Sequence, residues 1–172
     1  MHHPEHPGRS EVRAGTVRLR VTCADDLPVM FEMQDDAESN DMAGTKPRTR
    51  EAFFAAWARN FADPGVNSRV IEIIGTGGAA EIVGSIARFQ AHGLDHVGYW
   101  IARAQWGKGI ASRALALFLA EETRRPLHAT TARTNAASQH ILEKCGFRCV
   151  GHLMGEETDR YLAREISEFV LD

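Results

Sequence analysis

Tyr99-Trp100-Ile101-Ala102-Arg103-Ala104-Gln105-Trp106-Gly107-Lys108-Gly109-Ile110-Ala111-Ser112 is the stretch on which the reading of this chain turns. Its first three residues have strand character. From Gly109 onward apolar residues recur at Ile110, Ala114, Leu117 and Phe118, the spacing of one helical stripe. Gly107 and Gly109, between strand and helix, remove Cβ and let a ligand lie against bare backbone. The first N–H groups of a helix have no intrahelical partner and sit at the positive end of its macrodipole. Such a junction binds phosphate without a dedicated basic residue.

The same stretch limits which phosphate ligand fits. A Walker loop would need Gly-Lys-Ser/Thr after a longer glycine spacing, and a dinucleotide fingerprint would need glycine where Ser112 stands. Gly-x-Gly before a helix is, by itself, shared with ordinary tight turns. A second stretch adds information: Asn135-Ala136-Ala137-Ser138 leads into Ile141-Leu142-Glu143-Lys144-Cys145-Gly146-Phe147, a short helix closed by glycine.

Together the two stretches resemble the GNAT N-acetyltransferases, whose acetyl-CoA loop follows Gln/Arg-x-x-Gly-x-Gly/Ala. That pattern falls on Trp106-Gly107-Lys108-Gly109-Ile110-Ala111, with tryptophan in place of the leading Gln/Arg. This replacement, the Asn-x-x-Ser and the Glu-Lys-x-Gly-Phe are similar to the branch containing ribosomal-protein and spermidine-type acetyltransferases. The likeness is strong over roughly the second half of the chain and holds in outline over the first.

The resemblance implies that acetyl-CoA lies with its pyrophosphate on Trp106, Gly107, Lys108, Gly109, Ile110, Ala111 and Ser112. Its pantetheine then runs along Trp100, Ile101 and Ala102, mostly through main chain, where the strand splays from its parallel neighbour. Backbone near Ile101 could polarise the thioester carbonyl. Asn135 would bond the pantetheine or anchor its loop, and Lys144 would reach a CoA phosphate or stay solvated. Many family members protonate the leaving thiolate with a tyrosine whose position here holds Leu142. Ser138 is the substitute, unless it only caps its helix. The acceptor amine must also lose a proton. Asp95 falls where several members carry a glutamate base, and neighbouring His96 has the better unperturbed pKa, about 6.5. Strand alternation lets at most one of them face the thioester, and the residues alone do not choose. Cys145 has no histidine at motif spacing to activate it as an acyl carrier.

The rest of the chain is consistent with one domain of 172 residues, 44% hydrophobic and 25% charged. A net charge of −3 gives no global field for nucleic acid or anionic membrane. No run approaches the ~18 apolar residues of a membrane span, and the start has no signal-peptide core. Cys23, Cys145 and Cys149 show no CxxC spacing, so a reduced, cytoplasmic protein is expected. His92 and His96 have metal spacing only in a helix, and Gly93 argues for a turn, so no metal is expected.

Residues 1–15 read as a mobile tail and 16–172 as the domain. Strands are expected at Thr16–Val21, Arg69–Ile74, Ala80–Gln90, Asp95–Ala102, Leu127–Thr131, Phe147–Leu153 and Tyr161–Leu171. Helices are expected after Asp25-Asp26-Leu27-Pro28, over Arg50–Phe61 with a core row at Phe53, Phe54, Trp57 and Phe61, after Gly109, and over Ala136–Cys145. Asp35–Arg50 reads as a movable loop or broken helix around Met42. A hairpin meander followed by two β-α crossovers gives an α/β (α+β) fold, a mixed, mostly antiparallel sheet of about seven strands with helices on both faces. An exposed Tyr161–Leu171 edge would permit a homodimer.

The expected function is acetyl-CoA-dependent N-acetyltransfer directly to a primary amine of a small molecule or a protein N-terminus. The alternative is a non-catalytic acyl-CoA-binding regulatory module. Asp35–Arg50 and Gly155–Arg160 should shape the acceptor site. Their acidic residues, among them Asp36, Glu38, Asp41 and Glu157, would suit a cationic amine.

Overall fold

A computed structural model describes residues 15–172; the expected N-terminal tail, save Gly15, lies outside them. The first half is an antiparallel meander of β1 (Thr16–Val21), β2 (Asn67–Ile74), β3 (Ala80–Ala91) and β4 (Leu94–Ile101). Between β1 and β2 come α1 (Leu27–Gln34), α2 (Ala37–Ala43) and α3 (Arg50–Ala62). Pro28 opens α1, the Asp36 carboxylate accepts the Ser39 N–H at the start of α2, and Thr49 caps α3 through the Ala52 N–H. The second half runs α4 (Ile110–Glu121), β5 (Leu127–Ala132), α5 (Ala136–Lys144), β6 (Arg148–Met154) and β7 (Glu165–Leu171).

The seven strands form one mixed sheet in the order β1-β2-β3-β4-β5-β7-β6. Only β4 and β5 are parallel neighbours, joined through α4. The last strand differs from its expected place. It begins at Glu165, and it lies between β5 and β6, so both of its edges are paired and it offers no free edge to a second copy. The edges are β1 and β6. Tyr161 instead forms a bridge with Thr45.

Each face of the sheet carries a core. Ile110, Ala114, Leu115 and Phe118 of α4 pack with Val97, Leu127 and Phe169 on one face. The buried stripe therefore uses Leu115, and Leu117 points outward at 42% exposure. On the other face Leu27, Met30, Phe53, Trp57 and Val70 close together. Of the aromatic row on α3, Phe53 and Trp57 are core, while Phe61, near the helix end, is 46% exposed. The β2–β3 register slips by one residue between Ile71 and Glu72, which lets Ile82 pack on the α1–α3 face while Val83 and Ile86 pack on the α4 face.

One irregularity positions everything that follows. The β4–β5 pairing is confined to His96↔His128, after which the strands part. The Ala102 N–H still donates to the Val83 carbonyl, so by alternation the main-chain groups of Tyr99 and Ile101 face the opened gap.

Candidate active site

The gap is the floor of a cleft of about 720 Å3 that reaches both faces of the sheet. At one mouth stands the start of α4. Gly107 and Gly109 adopt left-handed backbone with φ of 76° and 73°. A Cβ placed on either would meet nothing within 4 Å, so backbone conformation and not packing demands the glycines, and the space beside them is open. Gly109 is the N-cap and offers no side-chain acceptor, which leaves the first N–H groups of α4 free for an anion. The Trp106 indole N–H donates to the Ile101 carbonyl at 3.0 Å and folds the loop back on β4. Open loop, free donors and unpaired strand groups together fit an elongated pyrophosphate ligand with an amide-bearing arm.

The sequence-predicted residues divide. Trp100, Ile101, Trp106, Gly107, Gly109, Ile110, Ala111, Ser112, Asn135 and Ser138 line the cleft. Four others, Ala102, Lys108, Lys144 and Asp95, do not. Ala102 lies in a shallow pocket beside Arg103 and Asp36, its N–H already bonded to β3. Lys108 is exposed and donates to Gln105 Oε1 at 3.1 Å. Lys144 is exposed at the far end of α5 from Ser138, outside the cleft lining.

Asp95 and His96 fall on opposite faces of β4, as neighbours in a strand must. Asp95 is turned toward Arg88 and Arg124, at 3.8 and 4.0 Å, and does not line the cleft. His96 does line it. The His96 ring stacks on Phe89 with centroids 5.8 Å apart and lies 5.5 Å from the His128 ring. Its Nδ1 is 3.2 Å from the Leu94 carbonyl. A carbonyl only accepts, so the proton sits on Nδ1 and Nε2 keeps its lone pair. Burial lowers the imidazole pKa below its ordinary 6.5, partly opposed by the Leu94 hydrogen bond and assisted by His128.

Sequence reasoning missed the partner of Ser138. The hydroxyls of Tyr99 and Ser138 share a hydrogen bond of 2.7 Å across the gap. Burial pushes the Tyr99 phenol up to about 12, so it stays protonated. Asn135 provides the cap of α5, its Oδ1 accepting the Ser138 N–H at 3.1 Å, which frees the Ser138 hydroxyl for Tyr99. Leu142, where a tyrosine acid would otherwise stand, is 1% exposed. Burial raises the Cys145 thiol, which donates to the Ser112 carbonyl.

The far mouth is walled by α2, the segment after it, and Arg160 and Tyr161. These loops are tied together: Lys46 N–H donates to the Arg160 carbonyl, Leu162 N–H to the Gly44 carbonyl, and Thr45 pairs with Tyr161. The expected movable loop is a capped helix with a tethered exit. Its acidic side chains do not enter the cleft, whose lining holds no Asp or Glu among the described residues. Asp36 and Glu38 hold Arg103, Asp41 faces Arg164, and Glu157 takes Lys46. The described residues hold no cluster of three metal-ligating side chains, and no helix among them is long and apolar enough to cross a membrane.

Comparison with known proteins bears on the same geometry. Residues 16–148 match the family model described as an acetyltransferase (GNAT) domain. Among curated protein sequences none matches the chain. Among solved structures, spermidine N-acetyltransferase from Vibrio cholerae, in complex with CoA and spermine, has a TM-score of 0.75 at 17% identity, covering 90% of this chain and 94% of that one. A GNAT-family acetyltransferase from Bacillus anthracis has a TM-score of 0.73 at 18% identity, covering 92% and 96%. RimJ from Mycobacterium smegmatis, in complex with CoA-disulfide, has a TM-score of 0.69 at 23% identity, covering 91% and 82%.

Proposed function

The chain belongs to the GNAT acetyltransferase family and is an acetyl-CoA-dependent N-acetyltransferase acting on an amine, and we propose that its cleft transfers the acetyl group with His96 as base and Ser138, backed by Tyr99, as acid. The observation that carries this assignment is one cleft whose lining joins the α4 start, the parted β4–β5 strands, His96 and the Ser138–Tyr99 pair. Acetyl-CoA supplies the activated thioester. The free N–H groups of Ile110, Ala111 and Ser112 hold its pyrophosphate, and the main chain of Tyr99 with the Ile101 N–H holds its pantetheine, the Ile101 carbonyl being taken by the Trp106 indole.

His96 Nε2 takes the proton from the acceptor ammonium or amine, directly or through one water. Its lowered pKa keeps it neutral at pH 7. The Ser138 hydroxyl donates toward the departing sulfur. Tyr99 donates to Ser138 Oγ in turn, which makes the serine a better donor at the moment charge develops. Asp95 takes no part, because its carboxylate is turned to Arg88 and Arg124. A reduced, cytoplasmic setting suits Cys23, Cys145 and Cys149, all of which are free thiols.

Thiol release from acetyl-CoA, measured against a panel of amines and N-terminal peptides, tests the reading. Turnover on one acceptor class, inhibited by CoA in competition with acetyl-CoA, is the expected result. Tight acetyl-CoA binding without turnover on any amine would instead favour a regulatory module.

A further inference from the structure

Arg48 and Arg160 reach the acceptor mouth of the cleft from its two tied loops, and neither has a carboxylate within 4.0 Å among the described residues. Arg48 Nη2 donates to Gln34 Oε1 at 2.8 Å, and Arg160 Nη2 approaches the same oxygen at 3.4 Å. One neutral amide oxygen thus serves two guanidinium groups. Arg160 also donates to Asn40 Oδ1 at 3.3 Å and to the Lys46 carbonyl, and its guanidinium lies 5.5 Å from the centre of the Trp100 ring. The Arg48 guanidinium lies 5.2 Å from the Phe53 ring, and its Nε is buried with no hydrogen-bond partner.

Two half-buried like charges held only by neutral acceptors are an unfavourable arrangement. Burial depresses both guanidinium groups, Arg160 to about 10 with Arg48 adding to the effect. The protein has carboxylates in the same two loops, yet those of Asp36, Glu38, Asp41 and Glu157 are committed to other cations outside the cleft. What the pair lacks is an anion, and the cleft lining provides none. The α4 start, where the pyrophosphate fits, lies at the other mouth, beyond the Tyr99 and Ile101 face of β4. Trp100, against which Arg160 stacks, faces α1 through its indole N–H to the Met33 carbonyl.

We propose that the acceptor is an amine carrying an anionic group, a carboxylate or a phosphate, which Arg48 and Arg160 clamp beside Trp100. The inference rests on the acetyltransfer reading above and adds the charge of the substrate. It replaces the acidic-loop hint of a site suited to a cationic amine with a site for an amine that also carries an anion. Paired guanidinium groups bind such oxygens by two or more charge-assisted hydrogen bonds.

The test uses acetyl-CoA with four acceptors: a pool of neutral amino acids, the pool of their primary amides, O-phosphoethanolamine and spermidine. The acids or the phosphate should be acetylated with kcat/KM about tenfold or more above the amides and spermidine; which of the two leads identifies the anion. Arg48→Gln and Arg160→Gln should each erase that preference while the Kd for acetyl-CoA stays unchanged, and Arg160→Lys should restore part of it. Equal or better turnover of the amides or spermidine would overturn the proposal, as would a preference that survives in both glutamine variants of folded protein. Calorimetric titration of N-acetylglycine and inorganic phosphate into CoA-saturated protein gives a readout independent of turnover. Saturable binding of either, weakened in Arg160→Gln, supports the anion site, and its absence removes it. Failure to bind CoA at all would remove the acetyltransfer reading separately.

Discussion

His96 carries its proton on Nδ1 because the Leu94 carbonyl can only accept it, and that single hydrogen bond leaves Nε2 as the ring nitrogen with a free lone pair. His96→Gln should lower kcat by about 10²- to 10⁴-fold, the range for loss of a positioned base, with acetyl-CoA affinity retained. The base must be neutral, and burial lowers its pKa; the acid limb of the kcat–pH profile should therefore fall below pH 6.5 and vanish in the variant. Ser138→Ala and Tyr99→Phe should each reduce kcat, and the double variant should be no worse than the poorer single one, since the two hydroxyls act through one hydrogen bond. Additive losses would show that they act separately. The sequence singled out Ser138 as a candidate through its motif and left Asp95 and His96 level, because choosing between strand neighbours requires knowing which face the cleft is on. Tyr99 and the arginines were invisible for a related reason. Ser138 is 39 residues from Tyr99, and Gln34 is 14 from Arg48 and 126 from Arg160, and no local pattern encodes these pairings.

At the scale of elements, the strand–loop–helix unit was legible because its chemistry is local. A strand, two glycines forced to positive φ and an uncapped helix start are contiguous in the chain. Gly109→Asp should weaken acetyl-CoA binding by at least about 100-fold, because it sets a negative charge where we propose that the pyrophosphate lies and strains a left-handed residue by roughly 1–2 kcal/mol. Calorimetry with acetyl-CoA checks the affinity, and a melting curve checks that the fold survives. The helix stripe was read less well. Leu115 and Leu117 both lie beside the row of Ile110 and Ala114, and only the tertiary packing of α4 shows that the first is buried and the second exposed. The final strand was misplaced for a topological reason: residues 155–164 spend themselves on tying Thr45 to Tyr161, so β7 starts late and inserts between β5 and β6.

Across the whole molecule, one buried ionic network fastens the start of β2, the β3–β4 hairpin and the end of α4. Glu122 Oε2 accepts from Arg88 at 2.6 Å and from Asn67 at 3.0 Å, and Glu122 Oε1 accepts the Arg124 N–H at 3.1 Å. Burial opposes ionisation of Glu122, but these hydrogen bonds outweigh it and hold the carboxyl at about 2 against an ordinary 4.5. A depressed carboxylate pKa stabilises the fold above the ordinary value, and that contribution fades as pH falls from 4.5 toward 2. Glu122→Gln should cost about 3 kcal/mol at pH 7 by leaving the buried Arg88 with only the more distant Asp95, at 3.8 Å, as counter-charge, and should flatten the acid limb of melting temperature against pH.

With its pantetheine in the parted seam, as we propose, the cosubstrate would also be a structural member. With His96↔His128 as the last rung, the main-chain hydrogens of Tyr99 and Ile101 have no neighbour strand to protect them. They should exchange with deuterium quickly in the free protein and slowly once CoA fills the seam, on either side of an otherwise continuous ladder. Saturation to ~100 times Kd would add about 2.7 kcal/mol to stability. Acetyl-CoA supply would then set how long each copy survives proteolysis, as well as how fast it turns over.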